Sequence, residues 1–92
     1  MDFKEFEIAL SEKLDQVESA IRERGMASLQ AEEYSLRLKD DCEVIYPDAA
    51  SDEQQARAVD LMYRMIEAID PPGVGDEEAL AALQEVRTRL KT

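Results

Sequence analysis

Cys42 is the only thiol in this 92-residue sequence, and there is no histidine to activate it. The thiolate is the reactive form, and it is stabilised beside cationic or imidazole groups. Cys42 instead falls at helical spacing on an apolar stripe with Ala27, Ala31, Tyr34, Leu38 and Ile45, where a free cysteine behaves as a small, inert hydrophobe. Without histidine, the commonest general base and the commonest metal ligand are both missing. The remaining titratable groups that sit together are pairs of neighbouring acids, Glu32-Glu33, Asp40-Asp41 and Asp52-Glu53. Adjacent residues on a helix point about 100° apart, so such pairs do not converge on one ion. No acids alternate ahead of a glycine as a calcium loop requires. Gly25, Gly73 and Gly75 do not form a phosphate-cradling loop, and Pro71-Pro72-Gly73 reads as a turn. The sequence predicts no enzyme, no cofactor and no metal site.

Recognition chemistry is better represented. The formal charge is −11, from 22 acidic against 11 basic side chains. It is spread along the chain: −3 over residues 1–24, −3 over 25–46, −4 over 47–75 and −1 over 76–92. Such a surface repels nucleic acid and anionic lipid and steers towards basic partners. The small basic groups, Arg22 with Arg24 and Arg87 to Lys91, fit helix C-termini better than phosphate readers. The expected partner is a protein with a basic surface, contacted directly and without nucleic acid or membrane. Tyr34, Tyr46 and Tyr63 are amphipathic anchors of a kind enriched in interfaces, and Leu61 and Met65 fall outside the main apolar stripe of their segment. Glu32, Glu33, Asp40 and Asp41 supply carboxylates for a basic partner. The competing expectation for Leu61, Met62, Tyr63 and Met65 is that they fill the core.

The elements that must position these groups are helices. From Ser51 to Asp70 the chain reads SDEQQARAVDLMYRMIEAID. Ser51 and Gln54 have capping-box spacing, Asp52 and Glu53 suit the first turn, and Asp70-Pro71-Pro72-Gly73 ends the run. Val59, Met62, Ile66 and Ile69 form one helical face, which Leu61, Tyr63 and Met65 widen. A helix this apolar needs neighbours on several sides, so it is the expected centre of a bundle. Residues 2–24 form a second helix, with Asp2 as N-cap, Gly25 at the C-terminal end, and Phe3, Phe6, Leu10, Leu14, Val17 and Ile21 on one face. Residues 28–44 are expected as a third, with Ser28 able to cap it. Its end, Cys42 to Tyr46, is β-favouring and ends in a turn forced by Pro47. A last helix over 77–91 begins at an Asp76 cap, with Ala79, Leu80, Leu83, Val86 and Leu90 as its apolar face.

The sum is an all-α, single-domain, antiparallel four-helix bundle over about 2–24, 28–44, 52–70 and 77–91, closed within one chain or completed by a second copy as a homodimer. No apolar run reaches the ~20 residues of a membrane span. The N-terminus lacks a basic, apolar leader, and one cysteine makes no internal disulfide, so a cytoplasmic location is expected. The run Val44-Ile45-Tyr46-Pro47 resembles the tyrosine-bearing short helix of colicin immunity proteins over those four residues. Two functions rank highest. The first is a non-catalytic interaction module: an adaptor, assembly chaperone or oligomerisation unit presenting an apolar groove rimmed by acid. The second is an acidic inhibitor, of the phage antidefence or nuclease-immunity type, that mimics nucleic acid through a carboxylate stripe of Glu12, Asp15, Glu18, Glu32, Glu33, Asp40 and Asp41.

Overall fold

A computed structural model describes residues 1–92, and its first helix starts where the sequence places a cap. The Asp2 carboxylate accepts the Glu5 amide at 2.8 Å, and Glu5 Oε1 accepts the Asp2 amide at 3.0 Å. Two otherwise orphaned donors are thereby satisfied. The helix, α1, runs Phe3–Arg24 and buries Phe6, Leu10, Leu14, Val17 and Ile21. Gly25 ends it at φ +82°, donating its amide to Ile21 O at 2.8 Å. That φ is one that L side chains rarely adopt, so glycine is required there.

The helix expected over 28–44 is two helices, α2 (Met26–Ala31) and α3 (Tyr34–Val44). Glu33 separates them in the left-handed region at φ +56°, ψ +43°. Neither glycine nor proline marks the break; a glutamate accepts a conformation that costs about 1 kcal/mol or more. Two ties hold this region in place. Arg24 grips Glu32 with two hydrogen bonds of 3.1 and 2.8 Å, and Gln30 Nε2 donates to Pro71 O at 2.7 Å. The break also resets the buried face: Met26 and Leu29 are buried, whereas Ala27 and Ala31 are exposed. Ser28 is inside α2 and caps nothing. Cys42 to Val44 is helical, and the chain turns through Ile45 and Tyr46 into Pro47.

α4 (Asp52–Ile69) opens on the predicted capping box, with both Ser51–Gln54 bonds at 3.2 Å. It packs against α1, α3 and α5, which makes it the central helix. Its buried face is Ala58, Leu61, Met62, Met65, Ala68 and Ile69. The expected face is therefore rotated: Val59 is half exposed and Ile66 only partly covered. α4 carries more apolar residues than three neighbours cover. Small Ala68 lies towards α5, on the side of closest packing, and this rotation leaves Val59 outside. α5 (Asp76–Lys91) buries Ala79, Leu83, Val86 and Leu90. Asp76 does not cap it; Gly75 occupies the cap position, and Asp76 Oδ1 accepts the Met26 amide at 2.7 Å, capping α2 from across the fold.

α1, α3, α4 and α5 run alternately up and down. Arg87 fixes α5 against α1 by donating to Asp15 (2.8 Å) and Glu18 (3.0 Å). Arg57 donates to Arg89 O (2.8 Å) between α4 and α5, and Ser35 donates to Asp70 (2.8 Å) between α3 and α4. The core is 19 buried apolar residues with no buried polar or charged side chain. One chain covers all of it, so core burial needs no second copy. No helix is long and apolar enough to cross a membrane.

Candidate functional site

Cys42 lies on the inner face of α3, 6% exposed. Burial pushes its thiol up to about 11, the Asp41 charge adds to the shift, and Lys13 opposes it. A shallow apolar hollow formed with Glu43, Tyr46 and Met62 adjoins it, and the charge of Lys13 is outweighed by burial, so the thiol form is favoured. No cluster of three acidic or thiol side chains is disposed to hold a metal ion. The acidic pairs are divided, Glu32-Glu33 by the break between α2 and α3 and Asp40-Asp41 by the turn of α3. Glu32 is bound to Arg24, and Asp41 to Lys13 at 3.0 Å, whereas Glu33 and Asp40 are exposed and make no ion pair. Of the seven carboxylates in the expected stripe, Asp15, Glu18, Glu32 and Asp41 are each bound to a cation of the same chain.

The apolar candidates separate as sharply. Leu61 (2% exposed) and Met65 (0%) are core residues and present nothing to a partner; Met62 joins them at 7%. Tyr46 is half-buried against the core beside Met62. Tyr34 is also half-buried, and its ring lies under two guanidinium groups, Arg24 at 5.8 Å and Arg37 at 5.4 Å. Tyr63 alone of this set projects from the surface, at 61% exposed, against the expectation that it shares the core with Leu61 and Met65.

Tyr63 forms one wall of a groove of ≈ 360 Å³ between α4 and α5. Ala68, Ala82 and Val86 make its floor, and Asp60, Glu67 and Glu85 stand around it. Arg64 is the single cation there and is held by Asp60 at 2.9 Å. Glu85 faces Arg89 at 3.3 Å, and Glu67 makes no ion pair. Hydrogen bonding to Glu67, then that carboxylate's charge, raises the Tyr63 hydroxyl above its usual pKa. One turn before Tyr63, Val59 extends the apolar strip at 51% exposed. The i, i+4 spacing of Val59 and Tyr63 was the available signal for this strip. It is masked in the sequence because both residues also fit an apolar helix face.

No protein-family model, curated protein or solved structure matches this chain. The resemblance over Val44 to Pro47 therefore carries no function across.

Proposed function

We propose that this chain is a non-catalytic, acidic helical module that binds a protein partner with a basic surface. The observation that carries this reading is a division of apolar residues. One chain already closes a dry core, yet Val59 and Tyr63 remain outside it beside a groove edged by carboxylates. Exposed aromatic and aliphatic groups framed by polar ones are the ordinary anatomy of an interface. The −11 charge favours a cationic partner over nucleic acid or anionic lipid. A single buried cysteine fits a reducing, cytoplasmic setting. The nucleic-acid-mimic reading gains less, because four of its seven carboxylates are occupied by cations of the same chain.

The test is affinity capture by the immobilised full chain from a lysate of its own source, paired with light scattering of the free protein. The expected result is a reproducible, stoichiometric protein partner released by salt. A strict monomer that retains no partner at low salt counts decisively against the module.

A further inference from the structure

We propose that the α4–α5 groove receives an arginine side chain from an amphipathic helix of the partner, with an apolar neighbour on that helix resting against Val59. This rests on the interaction reading above and adds the place and the chemistry. Of the three carboxylates around the groove, Asp60 is paired with Arg64 and Glu85 with Arg89, which leaves Glu67 without an ion pair and the groove one negative charge in excess. The local charge is thus complementary to a cation. The wall is an exposed tyrosine ring, and a guanidinium stacks on such a face while its planar fork of donors reaches carboxylates beside it. Ala68 and Ala82 keep the floor low.

The same chain shows this arrangement filled elsewhere. At Tyr34, Arg24 lies over the ring and is gripped by Glu32, and Arg37 lies over the ring as well. Tyr63 has the ring and the carboxylate Glu67, but no guanidinium of this chain lies over it. A second copy is a poor occupant because it brings a further −11 charge to the interface, and nucleic acid and anionic lipid share that sign.

The probe is a synthetic amphipathic helical peptide with arginine and leucine one turn apart, titrated into the isotopically labelled full chain and followed by amide NMR. Shifts centred on Val59, Tyr63, Glu67, Ala82 and Glu85 are expected. Affinity should fall about tenfold for Tyr63→Ala, and more modestly for Glu67→Gln. It should also fall when the peptide's arginine is replaced by glutamine. Tyr63 is exposed, so neither variant disturbs the core, and circular dichroism verifies the fold. Any of four results overturns the proposal: no shifts, shifts confined to other faces such as Leu36 and Val44, equal binding of the glutamine peptide, or concentration-dependent self-association abolished by Tyr63→Ala. If lysate capture succeeds while Tyr63→Ala captures as well as the parent chain, the interaction reading stands and only the groove assignment falls.

Discussion

α3 and α4 lie side by side, antiparallel, and solve the same problem in opposite ways. α4 is unbroken over 18 residues and buries six side chains among three neighbours; α3 has 11 residues and buries two, Leu38 and Cys42. α3 is instead tied by polar contacts at its edges: Ser35 to Asp70, Asp41 to Lys13, and Tyr34 beneath Arg24 and Arg37. Their tyrosines follow suit. The one on α3 lies beneath guanidinium groups of the same chain, while the one on α4 is exposed beside Glu67, a carboxylate with no ion pair. The helix that anchors the core thus also carries the exposed strip of Val59 and Tyr63, so the proposed binding face would stand on a rigid base, as precise binding requires.

The largest expected effect tests the burial half of this contrast. Met65→Ala on α4 removes a side chain that is 0% exposed and should cost about 3 kcal/mol in urea denaturation. Leu36→Ala on α3 removes one that is 51% exposed and should change stability by less than about 0.5 kcal/mol. Equal losses would mean that α3 packs in solution as deeply as α4.

Cys42 provides the next test, through pH. Its thiol is raised from about 9 to about 11 in the folded chain, chiefly by burial. The unfolded chain therefore loses this proton first, and stability falls as pH rises through that window. Below it, both states hold the proton and nothing changes. The parent chain should lose about 2 kcal/mol relative to Cys42→Ala between those limits, read as a shift of the difference in their urea midpoints. A difference independent of pH would show that water reaches the thiol and that α3 does not seal its side of the core.

Much of this architecture was legible from local sequence. The Asp2 cap, the Ser51–Gln54 box, the α1 stripe and the stop at Pro71-Pro72 depend on residues within a turn or two of each other, and all appear as read, with Glu5 closing the Asp2 cap into a box. What escaped depends on distant groups. Asp76 looks like a cap for the helix it begins, but its oxygen serves Met26, 50 positions earlier. The face of α4 depends on which neighbours approach most closely, which turns Val59 outward although its spacing suits the core. The candidate site was half legible for the same reason. Tyr63 was identifiable as an anchor by type, whereas Glu67 and Glu85 become its surroundings only once α4 and α5 are packed.

The long-range cap has a measurable consequence. Asp76→Ala leaves the Met26 amide without its carboxylate and unties α2 from the α4–α5 corner, so a loss of about 1 kcal/mol is expected. Hydrogen exchange should quicken at Met26 to Leu29 and leave α4 unchanged. Uniform quickening along the chain would instead make this corner part of the global unfolding unit.

The smallest effect concerns why α3 is separate from α2 at all. Glu33 sits at φ +56° without glycine's freedom, and its carboxylate makes no ion pair that offsets the strain. Glu33→Gly relieves the left-handed conformation but gives the unfolded chain more entropy to lose, and these terms oppose each other. Relief is the larger, so a net gain of about 0.5 kcal/mol is expected, with the helix boundary unmoved by NMR. If Glu33→Gly destabilises instead, the break is not strain tolerated for the sake of the Arg24–Glu32 clamp, and Glu33 itself would be holding α3 against the bundle.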